Sequence, residues 1–391
     1  MEFMQYNFDE VINRRGTNSV KWDLCAPDVL PMWVADMDFK TALVITESLL
    51  KIISTGIYGY SLIPDAFYES VISWWIKQHS FTIQKEWLLA TTGVLPSLSA
   101  IIRTFVKPGE NVILQTPVYN HFFSTLENCG CTVLQNNLLY NDSIYSIDFE
   151  DLENKASNPQ TKLLLLSNPH NPIGRVYERA ELEKICQICS KHNVMVVSDE
   201  IHSDLVFEPK KHTPFIEVSS QYNIAAISCG SPCKTFNMSG LPISYLVSQN
   251  KELLDKVQQT LNMQDNLYPN IVAVNALIAA YSHGVIWVKD LKSYLVENYK
   301  CLIDFCNENL PQIKVIPLDA TYLVWLDFGF LNQNATQLSQ MLIEEEKLWL
   351  NAGTMYGTSG ESFLRMNIAC PRSLLFEGLA RLKRFYDRVT V

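Results

Sequence analysis

Residues 162–202 read KLLLLSNPHNPIGRVYERAELEKICQICSKHNVMVVSDEIH, and this stretch decides the class of fold. Two short runs, KLLLLS at 162–167 and VMVVS at 194–198, are apolar on both faces. Between them, residues 177–191 have the length and periodicity of a crossover helix. Strands buried on both faces and joined by a helix are typical of parallel sheets covered by helices. The stretch therefore predicts a βαβ unit of an α/β protein.

Two further runs extend this pattern, NVILQ at 111–115 and NIAAIS at 223–228. From about residue 90 to 250 such runs alternate with helical patterns, which predicts a mainly parallel sheet flanked by helices. Downstream the pattern of apolar residues changes. A long helical pattern spans 285–310, and shorter predicted strands and helices follow it. We expect a second, smaller α+β domain there. Its acidic run Glu344-Glu345-Glu346 is interpreted as the solvated face of a helix.

Charge and composition exclude several classes of protein. The 391 residues carry 31 Lys and Arg against 41 Asp and Glu, so 31 − 41 gives a net charge of −10. A binder of the nucleic-acid backbone needs the opposite sign, so no nucleic-acid partner is expected. The N-terminal MEFMQYNFDE has no basic run followed by an apolar stretch, and no later run approaches the ~18 apolar residues of a membrane span. We therefore expect a cytoplasmic protein without a membrane partner.

Ten cysteines raise the question of a metal site. Cys186 and Cys189 form the only C-x-x-C pair, and His192 is the only further ligand nearby, which leaves a tetrahedral zinc site one ligand short. Both cysteines also keep helical step with Leu182 and Ile185 on an apolar face. We therefore interpret them as buried thiols and predict no metal.

Polar residues follow three of the predicted strands. Asn168 to Gly174 follow the first, Asp199-Glu200-Ile201-His202 the second, and Cys229 to Lys234 the third. Singly, these are ordinary features, namely a turn, a helix N-cap and a solvated lysine. The carboxyl ends of parallel strands, however, meet at one edge of a sheet, where ligands bind. A lysine and an acid there suit pyridoxal phosphate, which needs an amine for its carbonyl and an acid for its pyridine nitrogen.

With these residues in view, the chain resembles the class I/II aminotransferase superfamily of fold-type I pyridoxal-phosphate enzymes, and within it the MalY/PatB group of cystathionine β-lyases, or C-S lyases. SDEIHSDL at 198–205 and LPMWVADMDF at 30–39 are particular to this group. The other matching stretches are YGY at 58–60, TGVLPSL at 92–98, PVYNHF at 117–122, NPHNPIGRV at 168–176, SPCKTFNMSG at 231–240, TYLVWLDF at 321–328 and FLRMNIACPR at 363–372.

The resemblance implies a role for each matching residue. Lys234 would hold the cofactor covalently and later carry the Cα proton of the substrate. Asp199 would keep the pyridine nitrogen protonated, Asn171 would donate to the ring oxygen and bind substrate, and Tyr119 would stack on the ring. His202 would buttress the acid; a structural histidine and a core tyrosine are the alternatives for His202 and Tyr119.

The remaining roles concern the two anionic groups. Gly93, Val94 and Leu95 would offer backbone N–H groups to the phosphate at the start of a helix, and Ser231 would add a hydroxyl. Arg365 would grip the substrate carboxylate, with a surface ion pair as its alternative role. The family's Tyr60 comes from the neighbouring subunit, which implies a homodimer.

The family pattern also implies a division of the chain and leaves some questions open. The large cofactor-binding domain would span 46–285, and the small domain would combine 1–45 with 286–391. Three positions depart from the pattern: Cys233 replaces Ser or Thr, Ala320 replaces Gly, and Ser362 replaces Gly. We expect Cys233 to alter a phosphate contact or to create an oxidation-sensitive thiol, and the other two to narrow the substrate entrance.

The resemblance predicts a C-S β-lyase that cleaves cystathionine or related cysteine conjugates to pyruvate, ammonia and a thiol. An aminotransferase acting on an amino acid and a 2-oxo acid would use the same residues, so chemistry at the site does not separate the two. A third alternative is a protein that retains the fold but acts by binding a regulator.

Overall fold

The structure, a computed structural model, describes residues 6–266 and 268–390. The strands are β1 Leu30–Pro31, β2 Leu88–Thr91, β3 Asn111–Thr116, β4 Thr132–Asn137, β5 Leu139–Asn141, β6 Ile144–Ser146, β7 Thr161–Ser167, β8 Met195–Asp199, β9 Ala226–Gly230, β10 Ser244–Val247, β11 Lys314–Val315, β12 Leu323–Asp327, β13 Leu348–Trp349, β14 Asn351–Ala352 and β15 Phe363–Asn367.

The α-helices are α1 Val20–Asp23, α2 Leu43–Ile53, α3 Asp65–His79, α4 Val94–Phe105, α5 Asn120–Asn128, α6 Phe149–Ala156, α7 Arg179–Lys191, α8 Phe215–Ser219, α9 Lys251–Met263, α10 Ile271–His283, α11 Val285–Asn309, α12 Ala335–Glu346 and α13 Arg372–Val389. Single 3₁₀ turns lie at Lys85–Trp87, Ser203–Leu205, Gly329–Leu331, Gly353–Tyr356 and Thr358–Gly360.

The predicted parallel sheet is present and has seven strands in the order β2-β10-β9-β8-β7-β3-β4. All neighbouring pairs from β9 to β4 are parallel, and β10 alone runs against its two neighbours. Side chains alternate between two cores, with Leu164 and Val196 on one face and Leu163 and Val197 on the other. This double burial is the reason that the strands are apolar throughout.

Two details differ from the sequence-based expectations. The strand predicted at 223–228 lies at Ala226–Gly230, because pairing with β8 places Ala226 opposite Val196 and Cys229 opposite Asp199. Glu346 is buried rather than solvated, since α13 covers it and supplies Arg384 Nε at 2.8 Å and Arg388 Nη2 at 2.6 Å. The expected burial of Cys186 and Cys189 in α7 is confirmed.

A second sheet, in the order β11-β12-β15-β14, is antiparallel and comes from residues after 313. The N-terminal strand β1 pairs in parallel with β13, so a segment before the large sheet lies against a segment after it. The boundaries at 45/46 and 285/286 stay a prediction. Within the described ranges no single helix is long and apolar enough to span a membrane. The helices α10 and α11 reach that length and hydropathy only as a pair, and the pair is bent by 79° at the junction.

Candidate active site

Five strands of the large sheet end at one cavity of about 420 Å³. Because these strands share a direction, the residues that follow each of them are brought to the same edge of the sheet. Nine of the residues singled out in the sequence line the cavity, namely Gly93, Val94, Leu95, Tyr119, Asn171, Asp199, His202, Ser231 and Lys234. Arg365 contacts one of these nine, whereas Tyr60 lies on the surface of the chain and is fully exposed.

Lys234 lies in the turn that follows β9, and its partly buried side chain lines the cavity. Nζ donates to the carbonyl oxygen of Ala35 at 2.6 Å, and the hydroxyl of Tyr322 donates to the same oxygen at 3.0 Å. Burial lowers the pKa of the Lys234 amine, and the charge of Arg365 lowers it further against opposing effects of nearby acidic groups. A lowered pKa increases the neutral fraction of the amine, which is the form that attacks a carbonyl carbon.

Asp199 ends β8 and is buried at the floor of the cavity. Burial raises the pKa of its carboxyl to about 7, although the backbone N–H of Ile201, which donates to Oδ1 at 3.1 Å, opposes the shift. Glu200 raises the pKa further and Lys234 lowers it. A buried carboxyl whose pKa is raised by burial is favoured to pair with a cation that enters the cavity.

This burial leads to a prediction for the cofactor-free protein. An acid with a raised pKa in the folded state binds more protons folded than unfolded, so stability falls as pH rises from about 4 to about 7. We expect Asp199→Asn to remove this penalty and stabilise the cofactor-free protein at pH 8 by on the order of 2–4 kcal/mol, while weakening cofactor uptake. Urea unfolding of cofactor-free wild type and Asp199→Asn at pH 4 and pH 8 measures this change in stability. A difference in the free energy of unfolding that is equal at both pH values contradicts the prediction.

Arg365 lies in the middle of β15 and is almost fully buried, so the surface ion pair considered from the sequence is wrong. Its Nη1 donates to Asn171 Oδ1 at 2.9 Å, its Nη2 donates to the Trp33 carbonyl at 2.9 Å, and its guanidinium lies 5.0 Å from the centre of the Tyr356 ring. Nε is buried without a hydrogen-bond partner. Since a guanidinium has five N–H donors, Arg365 retains donors for a carboxylate.

The start of α4 forms another wall of the cavity. Gly93 precedes the helix with φ of 137°, a conformation that side chains other than hydrogen rarely allow. Its own N–H donates to Ser244 Oγ at 3.0 Å. The N–H groups of Val94 and Leu95 open the helix, where no intrahelical acceptor exists and where an anion is favoured. The N–H of Gly93 is therefore engaged by Ser244, and the N–H groups of Val94 and Leu95 remain as the two backbone donors of the expected phosphate site.

The other predicted residues of the cavity include Ser231, His202 and Tyr119. Ser231 donates to the carbonyl of Ile243 at 2.6 Å and accepts from the N–H of Cys233 at 3.1 Å. His202 has a buried Nδ1 without a hydrogen-bond partner, so the expected buttressing of Asp199 is not seen at this atom. Burial and the charges of Lys234 and Arg365 lower the pKa of His202 to about 3, and burial raises that of Tyr119 to about 12.

The cavity also contains residues that sequence reasoning missed, namely Ala35, Thr92, Pro96, Ser167, Ile201, Ser239 and Pro242. Ala35 acts through its carbonyl oxygen, which has no sequence signature beyond its place in LPMWVADMDF. Of the three departures from the family pattern, only Cys233 lines the cavity. Ala320 is fully buried with Val176 and Val206, so the expectation that it narrows the entrance finds no support.

Comparisons with known proteins agree with this geometry. A family model described as aminotransferase class I and II matches residues 34–382. The chain belongs to the class I and II aminotransferase family. Within it, the chain is 40% identical to cystathionine beta-lyase PatB of Bacillus subtilis, over 96% of this chain and 99% of that protein. It is 34% identical to Protein MalY of Escherichia coli, over 96% of this chain and 98% of that protein.

A solved structure of the same family extends the agreement to three dimensions. The crystal structure of cystalysin from Treponema denticola, which contains a pyridoxal 5'-phosphate cofactor, matches with a TM-score of 0.95 at 32% identity. The match covers 99% of this chain and 100% of that chain. The resemblance to the C-S lyase group of class I and II aminotransferases, and the fold-type I architecture, are thereby confirmed.

Proposed function

We propose that the protein is a pyridoxal-phosphate-dependent C-S β-lyase that cleaves cystathionine or related cysteine conjugates. The observation that carries this proposal is the convergence of Lys234, Asp199 and the start of α4 on one cavity. Similarity to lyases over nearly the entire chain supports the reaction type.

The residues present fit this cofactor. The phosphate would meet the N–H groups of Val94 and Leu95, the pyridine N–H would meet the buried Asp199, and the carbonyl carbon would meet the amine of Lys234. Burial raises the pKa of Asp199, and a protonated ring nitrogen beside the carboxylate would oppose that shift by supplying a cation. Tyr119 offers a ring with its hydroxyl protonated, since burial raises the pKa of that hydroxyl to about 12.

When bound, pyridoxal phosphate supplies a carbonyl for the amino group of the substrate and a ring that accepts electrons from Cα. The protein's own groups then direct the reaction. Arg365 binds the α-carboxylate, and its bond to Asn171 couples the carboxylate site to the cofactor site. The neutral amine of Lys234 would take the Cα proton, and the electron pair left by that C–H bond would expel the thiolate from Cβ. Hydrolysis of the remaining three-carbon fragment gives pyruvate and ammonia.

Incubation with cystathionine or cystine in the absence of any keto acid tests the reaction. Sustained release of pyruvate, equal to the thiol released, is expected of a lyase. A single turnover that resumes only when a keto acid is added would identify an aminotransferase instead. A protein that takes up no cofactor would leave only the regulator-binding alternative.

We further propose that the protein is a homodimer in which Tyr60 reaches the neighbouring active site. The segment around it exposes large apolar side chains, with Ile57 80% and Leu62 83% exposed in the single chain. Contiguous exposed apolar residues of this kind favour contact with a partner surface. A site shared in this way is also what the resemblance of residues 58–60 to the family implies.

Mixing two inactive variants tests the shared site. A Lys234→Ala subunit still provides Tyr60, and a Tyr60→Ala subunit still provides Lys234, so each hybrid dimer contains one complete site. Random reassembly makes half of the dimers hybrid, so we expect about a quarter of wild-type activity per site after co-refolding. Each variant refolded alone is the control. Activity no greater than the sum of the two controls contradicts sharing.

A further inference from the structure

A buried polar cluster lies behind the turn that carries Lys234, outside the cavity. We call it the Asp204 cluster, and its members are Asp204, Thr235, Trp74 and His79. The hydroxyl of Thr235 donates to Asp204 Oδ2 at 2.9 Å, and Trp74 Nε1 donates to Oδ1 at 2.9 Å. His79 Nε2 lies 3.3 Å from Oδ1. Thr235 directly follows Lys234, so the cluster is one residue away from the reactive amine.

The Asp204 cluster joins three different parts of the chain. It lies in the 3₁₀ turn Ser203–Leu205, Trp74 and His79 belong to α3, and Thr235 belongs to the turn after β9. Trp74 is itself fixed by stacking on Tyr281 at 4.7 Å. Although burial raises the pKa of Asp204, the donors His79, Trp74 and Thr235 together hold it below its ordinary value. The acceptor of the Thr235 hydroxyl is therefore an ionised carboxylate with contacts at both of its oxygens.

A second buried pair continues the cluster toward Asp199. The ring of His212 packs against that of His79 with centroids 5.3 Å apart, and its Nε2 lies 3.1 Å from Glu200 Oε2. Glu200 Oε1 accepts from Ser228 Oγ and from the backbone N–H of Phe215, both at 2.9 Å. Glu200 is the residue after Asp199, as Thr235 is the residue after Lys234. The same buried network thus contacts the neighbour of each central residue of the cavity.

We propose that Asp204, acting through Thr235, is a positioning residue that holds the amine of Lys234 in its working place. The inference rests on the proposed cofactor-dependent function. Buried carboxylates contribute little net stability, because their desolvation offsets their contacts, but they fix geometry when fully satisfied. The Lys234 amine donates to the Ala35 carbonyl from the same turn that carries Thr235, and small displacements of a reacting group slow a reaction strongly.

The hydroxyl of Thr235 is the point at which the proposal is tested. Thr235→Val removes the donor with little change in volume, and Thr235→Ser keeps it. Thr161→Val is the matched control, since Thr161 is a buried threonine whose hydroxyl donates to the Lys155 carbonyl at the far end of β7. The first readout is the rate of pyridoxal-phosphate uptake by cofactor-free protein, followed by visible absorbance; the second is kcat and KM measured separately.

We expect Thr235→Val to slow uptake and lower kcat by about tenfold with KM within about twofold, while Thr235→Ser and Thr161→Val stay within about twofold of wild type. A folded Thr235→Val protein with wild-type uptake and kcat overturns the proposal. Wild-type uptake is measured first, so a wild type that takes up no cofactor reports failure of the proposed function instead.

A second variant asks whether Thr235 acts through Asp204. If it does, adding Thr235→Val to the Asp204→Asn variant should lower the kcat of that variant by less than about twofold. The reason is that Asp204→Asn has already impaired the contact between the two residues. Full additivity of the two effects contradicts the proposed route. If Asp204→Asn does not fold, the comparison of Thr235→Val with Thr235→Ser decides the matter by itself.

Discussion

Replacement of Lys234 by alanine is expected to abolish turnover, with a loss of at least ~1000-fold in kcat. The amine lies in the cavity with its pKa lowered, and under the proposed function it binds the cofactor covalently and takes a proton from Cα. Its removal leaves the Ala35 carbonyl without the donor that now lies 2.6 Å away. No other lysine lines the cavity among the residues that the structure describes, so nothing in the site replaces the amine.

Absorbance after dialysis and the rate of turnover check this expectation. Wild-type protein mixed with pyridoxal phosphate should develop a visible band that dialysis does not remove, whereas the band of Lys234→Ala should be lost on dialysis. Lys251→Ala, which changes an exposed lysine paired with Asp255 on α9, serves as the control and should resemble wild type. Turnover by Lys234→Ala at more than a tenth of the wild-type rate would falsify the assignment.

Replacement of Lys21 by methionine is expected to destabilise the protein by about 3–5 kcal/mol. Lys21 is 1% exposed, and its Nζ lies 2.6 Å from Asp38 Oδ2. Arg14 Nη1 and Trp22 Nε1 donate to the other oxygen of Asp38, each at 2.8 Å. Methionine has a similar volume, so the variant removes the charge and leaves a buried carboxylate with one fewer partner.

The loss should depend on pH. Burial raises the pKa of Asp38, but Lys21, Trp22 and Arg14 together hold it below its ordinary value. A carboxyl with a lowered pKa stabilises the fold above its unfolded pKa of about 4 and loses that contribution as pH falls through its folded pKa. The difference between wild type and Lys21→Met should therefore be largest near neutral pH and should shrink in acid.

Urea unfolding measures this difference, with Lys40→Met as the matched control. Lys40 also pairs with a carboxylate, Glu10, at 2.6 Å, but Lys40 is 68% exposed, so its loss should change stability by less than about 1 kcal/mol. Equal midpoints for the two variants would show that burial of the Lys21 pair contributes nothing. Asp38 lies three residues after Ala35, whose carbonyl accepts from Lys234, so the buried pair adjoins the segment that meets the active-site amine.

The sequence predicted the large sheet and most of the cavity. Doubly buried strands are apolar along their whole length, so β3, β7 and β8 are visible as runs of Val, Ile and Leu. Parallel strands place their carboxyl ends together, so Asn171, Asp199 and Lys234 could be assigned to one site before their distances were known. The strand β9 was misplaced by about three residues, because its start is set by pairing with β8 and not by composition.

Only the tertiary structure determined which groups contact these residues. The carbonyl of Ala35 holds the amine of Lys234 across 199 positions, and Arg365 reaches Asn171 across 194. The buried contacts of Lys21 with Asp38 and of Thr235 with Asp204 are likewise decided by tertiary packing. Periodicity and composition report whether a residue is buried and in which local element it lies. They carry no information on which distant group meets it, because that depends on how finished elements pack, and a backbone carbonyl is present at every residue alike.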